Sequence, residues 1–212
     1  MGVRQHRAGD PRAACIAELA AWVAGIEASG PLRVALDGPD AAGKTTLAGE
    51  LAAVLLSDHA LQVVRVSADD FQAPAEQRHR RGRYSPDGYL LEAFDQAALR
   101  RRILAVAESA VVLVDGVFLQ RPPLLDVWDA AVWVEVTDAT ILTRALARDV
   151  DVLGSREEVG RLYEARYLPA QRAYAETWRP GDAADVVLRN DDPNAPQLRW
   201  RRPGDAISPR TA

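Results

Sequence analysis

Short stretches of apolar residues alternate along the chain with longer segments in which apolar residues recur every three or four positions. The short stretches are typical of buried strands, and the longer segments are typical of helices that pack along one face. The predicted strands are 32–36, 61–66, 111–114, 130–136 and 184–188. The predicted helices are 12–29, 44–56, 92–108, 139–150 and 157–177. This alternation predicts an α/β fold with a five-stranded parallel sheet covered by helices on both faces.

The chain ends differ in composition from this central region. A length of 212 residues suggests one domain, which we assign to residues 12–189. Residues 1–11 are polar and lack the apolar core of a signal peptide, so we interpret them as a flexible arm. Residues 190–212 contain several prolines and arginines with little periodic hydrophobicity, which predicts an extended or partly disordered tail.

Composition and charge exclude several classes of partner. The net charge of -4 provides no general attraction to nucleic acid or to acidic membrane surfaces. A single cysteine, Cys15, excludes an internal disulfide and fits a reducing compartment. No apolar run approaches the roughly 20 residues that a membrane helix needs. We therefore expect a cytoplasmic protein without nucleic-acid or membrane partners, and the sequence leaves a homo-oligomer open.

The strongest motif follows the first predicted strand and opens a helix. It reads Gly38-Pro39-Asp40-Ala41-Ala42-Gly43-Lys44-Thr45, followed by Thr46, and matches the P-loop pattern G-x-x-x-x-G-K-[ST]. Glycines allow a tight turn, so that successive backbone N–H groups point into one anion-binding concavity at the start of a helix. All nine residues are therefore candidates for ATP binding, and the ammonium group of Lys44 is predicted to reach the β- and γ-phosphates.

Two oxygen-bearing side chains are candidate Mg²⁺ ligands. The Thr45 hydroxyl directly follows the P-loop lysine, and Asp115 ends the apolar strand 111–114. A hydroxyl and a carboxylate at these positions hold Mg²⁺ in P-loop enzymes. The alternative for Asp115 is a strand-ending residue in an ordinary turn.

Acidic and aromatic residues follow the second strand and predict an acceptor site. The segment is Ser67-Ala68-Asp69-Asp70-Phe71. One of the two carboxylates could take the proton of an attacking hydroxyl, while the alternative is that both cap the next helix. Further along, residues 78–89 are basic and aromatic, which indicates either a flexible acceptor-binding segment or a solvated loop. The candidate acceptor-binding residues are Asp69, Phe71, Tyr84, Asp87 and Tyr89, of which a tyrosine would stack on a base and Asp87 would bond a sugar hydroxyl.

Arginines mark a candidate lid. Arg144 and Arg148 lie four residues apart and so share one helix face. A cationic pair at this position would neutralise charge on the triphosphate during transfer, and Arg156 would belong to the same mobile segment. The alternative is surface charge paired with Asp149 and the glutamates at 157 and 158.

These motifs together resemble the uridine kinase and phosphoribulokinase family of P-loop kinases. The similarity spans 32–192 and rests on GPDAAGKTT, SADDF, VDGVFL, RALARD and ADVVLRNDD in that order. It implies a nucleoside-kinase-type P-loop fold with an arginine-bearing lid. It further implies that Asp69 is the acid facing the acceptor 5′-hydroxyl, that Asp115 lies near Mg²⁺, and that Arg144 and Arg148 are lid arginines.

The acceptor region departs from the family pattern. Uridine kinases carry a Phe-Asp-His-Pro-like stretch whose aspartate holds the ribose, whereas this chain has Arg83-Tyr84-Ser85-Pro86, with Asp87 beyond the proline. The sequence therefore predicts an ATP-dependent phosphotransferase acting on an alcohol group, with the 5′-hydroxyl of a uridine- or cytidine-like nucleoside as the first acceptor. The alternatives are nicotinamide riboside, pantothenate or a sugar acid as acceptor, or an ATPase switch that has no small-molecule acceptor. Since no Asn-Lys-x-Asp motif and no Leu-Ser-Gly-Gly-Gln motif occur, a GTPase and an ABC-type ATPase are disfavoured.

Overall fold

The structure, a computed structural model, describes residues 9–106 and 110–201. The strands are β1 (Leu32–Asp37), β2 (Val63–Ser67), β3 (Val111–Gly116), β4 (Ala130–Glu135), β5 (Val186–Arg189) and β6 (Gln197–Trp200). The helices are α1 (Pro11–Ala24), α2 (Lys44–His59), α3 (Ala75–Arg78), α4 (Pro86–Glu92), α5 (Gln96–Leu104), α6 (Asp138–Arg148), α7 (Val150–Leu153), α8 (Arg156–Leu162), α9 (Leu168–Trp178) and α10 (Pro180–Ala183). A 3-10 turn (Ala68–Phe71) follows β2, and a π-helical turn (Tyr163–Tyr167) joins α8 to α9.

All six strands form one sheet in the order β2-β3-β1-β4-β5-β6. The pairs among the first five strands are parallel, and β6 pairs antiparallel with β5. The predicted α/β fold with a five-stranded parallel sheet is confirmed, and a sixth, antiparallel strand extends that sheet. The sixth strand comes from the segment that the sequence predicted as a tail.

The end of the described chain is held on the sheet by a tryptophan pair. The ring of Trp200 contacts that of Trp22 in α1, with 5.5 Å between ring centroids. The Trp200 indole N–H also donates a hydrogen bond of 2.8 Å to Glu18 Oε1. An indole with an apolar contact and a bonded N–H is strongly held, so β6 is anchored on α1. Residues 1–8 of the predicted arm and 202–212 of the predicted tail lie outside the described residues.

Alternate residues of the central strands face two separate cores. Val34 and Leu36 of β1 pack with buried residues of α1 and α2, whereas Ala35 between them packs with Leu99 and Ile103 of α5. This period of two is what a strand imposes on its side chains. The nearly continuous apolar runs of the sequence are therefore those of a sheet buried on both faces.

Three predicted helices differ clearly from the observed ones. The predicted helix 12–29 ends too late, since α1 ends at Ala24. The predicted helix 92–108 begins too early, because the chain bends after α4 and α5 starts at Gln96. Asp95 caps α5, and its carboxylate accepts from Ala98 N at 2.8 Å. The predicted helix 157–177 is interrupted by the π-helical turn, which ends two residues before Pro169. Proline has no N–H for the regular helical bond, and a π turn accommodates that loss.

No helix within the described ranges is both long and apolar enough to cross a membrane.

The strand register brings three polar residues to one edge of the sheet. Ser67 at the end of β2 is opposite Asp115 of β3, and Asp37 at the end of β1 is opposite Gly116. The carboxyl ends of parallel strands are where ligands bind in open α/β sheets. This edge therefore holds the candidate site.

Candidate active site

The loop from 38 to 43 connects β1 to α2 and has the backbone shape that its glycines allow. Ala41 and Gly43 have left-handed φ angles of 57° and 93°. A Cβ on Gly38 would collide with the backbone carbonyl oxygen of Val134 in the neighbouring strand. A Cβ on Gly43 would lie 2.9 Å from Asn190 Nδ2, which donates to the Ala42 carbonyl. The loop is thus closed by β4 on one side and by the loop after β5 on the other, with the N-terminus of α2 directly following it.

Lys44 is the first residue of α2 and its ammonium group folds back over the loop. Its Nζ donates a hydrogen bond of 2.6 Å to the carbonyl of Pro39, and the side chain is buried. Burial lowers the pKa of Lys44, and the nearby carboxylates of Asp40 and Asp37 oppose that shift. A buried ammonium with a single carbonyl partner has donors left for phosphate oxygens.

Thr45 and Asp115 meet directly, as a shared Mg²⁺ site requires. The Thr45 hydroxyl donates to Asp115 Oδ2 at 2.7 Å, and the Ser67 hydroxyl donates to the same oxygen at 3.4 Å. Hydroxyl and carboxylate oxygens suit Mg²⁺, which usually keeps water and phosphate oxygens as its other ligands. No group of three or more His, Cys, Asp or Glu ligands occurs in 9–106 or 110–201. The oxygen atoms here fit the ion.

Asp37 is a buried residue that sequence reasoning treated only as the end of a strand. Its carboxylate accepts from Gly38 N at 2.8 Å, from the Tyr174 hydroxyl at 2.5 Å and from Gln120 N at 3.2 Å. Complete burial raises the pKa of Asp37, and the bond from Tyr174 opposes that shift. Asp37 therefore fixes the start of the loop to α9. In the sequence, the position of this acid between an apolar run and the first P-loop glycine was the signal that could have identified it.

A cavity of about 490 Å³ adjoins the P-loop. It lies between the 3-10 turn after β2, the segment from α3 to α4, and the lid formed by α6, α7 and α8 with the π-helical turn. Its polar and aromatic lining consists of Asp40, Asp69, Gln72, Arg78, His79, Arg83, Tyr89, Phe94, Arg148, Asp149, Tyr163, Arg166 and Tyr167. The volume suits a small molecule.

Asp40 belongs to the P-loop, but its side chain lines this cavity. Its Oδ2 accepts from the Tyr89 hydroxyl at 2.7 Å and from Gln171 Nε2 at 2.5 Å. The nearby negative charge of Asp40 contributes, after burial, to raised pKa values of Tyr89 and Tyr167. The carboxylate of this residue, which the sequence predicts to bind ATP, thus faces the cavity. It is held there by Gln171, which the sequence analysis did not identify.

Of the two adjacent acids after β2, Asp69 lines the cavity and Asp70 does not. Asp69 as a residue is exposed, but its carboxyl is in part enclosed at the cavity wall. This partial burial raises the pKa of Asp69, as do the charges of Asp40 and Asp115, while Lys44 and Arg148 oppose the shift. Phe71 packs against the core under β2 and does not line the cavity.

The segment 78–89 is folded rather than an open loop. Arg166 donates to the backbone carbonyls of Arg78, Gly82 and Arg83, which ties the segment to the π-helical turn. Tyr84 does not line the cavity; its hydroxyl donates to the Glu158 carboxylate at 3.1 Å.

The other two acceptor candidates in this segment lie in α4. Asp87 is exposed in the first turn of the helix, outside the cavity. Tyr89 lines the cavity but is buried, with its hydroxyl bonded to Asp40. The structure therefore does not bring Tyr84 and Asp87 together with Asp69.

The lid arginines occupy different positions. Arg144 donates to the carbonyls of Ala41 at 3.2 Å and Asn190 at 2.6 Å, so it links the P-loop to the loop after β5. Arg148 lines the cavity and pairs with Asp149 at 2.6 Å, a contact that raises the pKa of its guanidinium group. Arg156 is exposed and contacts only the Leu146 carbonyl, at 3.5 Å, among the bonds of the described residues.

The fold and the loop geometry define an α/β protein with a P-loop. Several of the solved structures that it resembles are described as kinases. A possible uridine kinase from Bacillus stearothermophilus is 23% identical, with a TM-score of 0.65 over 81% of this chain and 96% of that one. A provisionally assigned fructose transport system kinase from Silicibacter sp. is 23% identical, with a TM-score of 0.67 over 83% of this chain and 98% of that one.

A third solved structure of the same fold carries a different description. The D-glycerate 3-kinase from Cryptococcus neoformans var. grubii is 15% identical, with a TM-score of 0.54 over 84% of this chain and 92% of that one. No protein-family model matches the sequence, and no curated protein matches it. The chain thus has the fold that these three solved structures share.

Proposed function

We propose that the protein is a Mg²⁺-dependent kinase that transfers the terminal phosphoryl group of ATP to a hydroxyl group of a small molecule. The observation that carries the proposal is the juxtaposition of two sites. A P-loop whose Thr45 hydroxyl meets Asp115 adjoins a cavity lined by Asp69, and Asp40 belongs to both. Kinases need this pairing of a phosphate cradle with an acceptor cavity.

Asp69 is the proposed acceptor-side base. The Asp69 carboxylate would accept the proton of the acceptor hydroxyl while the hydroxyl oxygen forms a bond to the γ-phosphorus of ATP. At the same time, the bond between the γ-phosphorus and the β–γ bridging oxygen would break, and ADP would leave. The raised pKa of Asp69 supports this role, because a more basic carboxylate takes a proton more readily. Lys44 would hold the phosphates in line, and Arg148 at the cavity wall would offset the charge on the group in transfer.

Thr45 and Asp115 would hold Mg²⁺, Thr45 directly and Asp115 directly or through water. The ion, when bound, would neutralise charge on the phosphates. The contact of Arg144 with the Ala41 carbonyl supports a role for this arginine in shaping the loop that receives ATP. The finer prediction of a nucleoside 5′-hydroxyl as acceptor has less support, since Tyr84 and Asp87 lie outside the cavity.

Substitution of Asp115 should change the Mg²⁺ requirement. We expect Asp115→Asn to raise the Mg²⁺ concentration for half-maximal activity by about tenfold or more, because the amide has no negative charge for the ion. The measurement is initial rate against free Mg²⁺ at saturating ATP. Ser67→Ala, which removes only a neighbouring hydroxyl, serves as the control and should cause a much smaller shift. An unchanged Mg²⁺ curve for Asp115→Asn would count against the metal site.

The pH profile should report the charge on Asp69. The base must be deprotonated, so kcat/KM for the acceptor should fall as the pH drops through the pKa of Asp69. Because that pKa is raised, the acidic limb should lie above the ordinary aspartate value of about 3.9. Asp40→Asn removes a nearby negative charge and should move the limb to lower pH. If the acidic limb of Asp40→Asn lies at the same pH as that of the wild type, the limb does not report the titration of Asp69.

The test of the function is a panel of hydroxyl acceptors with labelled ATP. The panel contains uridine, cytidine, nicotinamide riboside, pantothenate and small sugar acids. We expect one class of compound to yield a phosphorylated product at a rate that requires Mg²⁺. ATP hydrolysis that ignores every acceptor and depends on a protein partner would instead favour an ATPase switch.

A further inference from the structure

The lining of the cavity includes carboxylates and a group of basic residues. Asp40 and Asp69 are among the lining acids. Arg78, His79 and Arg166 line the same cavity, and Arg166 donates a hydrogen bond of 3.0 Å to the Arg78 carbonyl. These three basic residues therefore lie together, at what we call the basic end of the cavity.

Arg166 is a buried cation without a neutralising acid. Its side chain lies in the π-helical turn, the residue is 3% exposed, and it donates to the carbonyls of Arg78, Gly82 and Arg83. These bonds from Nη1 and Nη2 go to neutral carbonyls and leave the charge in place, since no carboxylate of the described residues pairs with Arg166. Burial lowers the pKa of Arg166, which reflects the cost of that enclosed charge. An anion beside it would offset the cost.

Arg78 adds a second cation at the same end. Its Nη1 donates to the Gln72 amide oxygen at 2.6 Å, and its buried Nε has no hydrogen-bond partner. Arg83 at the rim is paired, through Glu158 at 2.9 Å. His79 carries the effect of all three: after burial, the charges of Arg166, Arg78 and Arg83 lower its pKa. A positive potential is thus built into one end of the cavity.

We propose that the acceptor carries an anionic group, a carboxylate or a phosphate, which binds between Arg78 and Arg166 while its hydroxyl faces Asp69. The reverse orientation would place the anion beside the carboxylates of Asp40 and Asp69, which would repel it. A neutral nucleoside leaves the buried charge of Arg166 uncompensated. The inference rests on the proposed kinase function for the hydroxyl end, but the anion site itself can be tested without catalysis.

The binding test uses three molecules that share one frame: glycerol, D-glycerate and glycerol 3-phosphate. Each is added to the protein with its P-loop already filled by Mg²⁺ and a non-hydrolysable ATP analogue, so that anions cannot bind there. The readout is the NMR titration of His79, assigned with the His79→Gln variant. An anion beside the arginines should raise the His79 pKa, and glycerol should leave it unchanged. Comparison of the affinities for D-glycerate and glycerol 3-phosphate shows whether the site prefers a carboxylate or a phosphate.

Two variants locate the site. Arg78→Gln should weaken anion binding by about tenfold or more, because it removes a charged donor from the cavity. The matched control is Arg80→Gln, an exposed arginine two residues along that pairs with Glu92 and does not line the cavity; it should bind the anion as the wild type does. If neither anion shifts His79 more than glycerol does, or if Arg78→Gln and Arg80→Gln behave alike, the inference is overturned.

Kinetics then separate this inference from the proposed function. With labelled ATP, an anionic compound should exceed both glycerol and uridine in kcat/KM, and Arg78→Gln should raise its KM while leaving the KM for ATP unchanged. Uridine as the best acceptor of the set would overturn the anion site and keep the kinase. Anion binding that responds to Arg78→Gln, in a protein that phosphorylates no acceptor, would keep the anion site and contradict the kinase.

Discussion

Asp69→Asn should lower kcat by about 10² to 10⁴, because the amide cannot take the proton of the attacking hydroxyl. The affinity for Mg·ATP should stay within about twofold of wild type, since the carboxylate lies on the acceptor side of the cavity. The measurement is kcat by initial rates together with the dissociation constant of a non-hydrolysable ATP analogue. If kcat and the affinity for ATP fall by similar factors, Asp69 does not act as the base.

The neighbouring acid provides the control for this prediction. Asp70 shares the 3-10 turn with Asp69 but does not line the cavity, so Asp70→Asn should keep nearly full activity. A loss of folding stability should not account for the lower kcat of Asp69→Asn. The raised pKa of Asp69 means that the folded state disfavours the charged form at neutral pH, so Asp69→Asn should melt at the same or a higher temperature.

Lys44→Met should lower kcat/KM by about 10³ and weaken ATP binding, since the buried ammonium is the cation at the P-loop. The methionine stem replaces most of the apolar length. Because burial lowers the pKa of Lys44, its charge costs stability in the free protein, and the variant should melt no lower than wild type. The measurements are steady-state kinetics, ATP-analogue binding and a thermal melt.

Lys44→Arg distinguishes charge from position. It keeps the positive charge, but its planar guanidinium is larger than the ammonium that fits against the Pro39 carbonyl. We expect this variant to be nearly as impaired as Lys44→Met. Full activity in either variant would mean that the P-loop does not act in catalysis.

The phosphate side of the site could be predicted from local sequence because its chemistry is local. The residues from Gly38 to Thr45 are contiguous, and the apolar run before them identifies the strand that presents them. The position of Asp115 followed from the same logic, since the carboxyl ends of parallel strands share an edge. Thr45 and Asp115 are in contact in the structure, and their role as metal ligands stays a prediction.

The acceptor side could not be predicted in the same way because distant segments form it. Nothing in the local sequence links Asp40 to Gln171, which lies 131 residues along the chain. The sequence predicts the basic segment 78–89 as a flexible segment or a solvated loop. The residue that orders it, Arg166, lies in a π-helical turn, which hydrophobic periodicity does not reveal. Strand β6 was missed because four residues in a proline-rich stretch carry too weak a pattern.

The most direct test of the triphosphate site uses the fact that Lys44 is the only lysine of the chain. An acyl phosphate of ATP transfers its acyl group to an amine that lies beside the terminal phosphate, and peptide mass spectrometry identifies the modified amine. The account predicts one acylated lysine peptide, containing Lys44, whose formation requires Mg²⁺ and is suppressed by excess ATP. A Lys44 peptide that stays unmodified, or that is acylated equally with and without competing ATP, would contradict it.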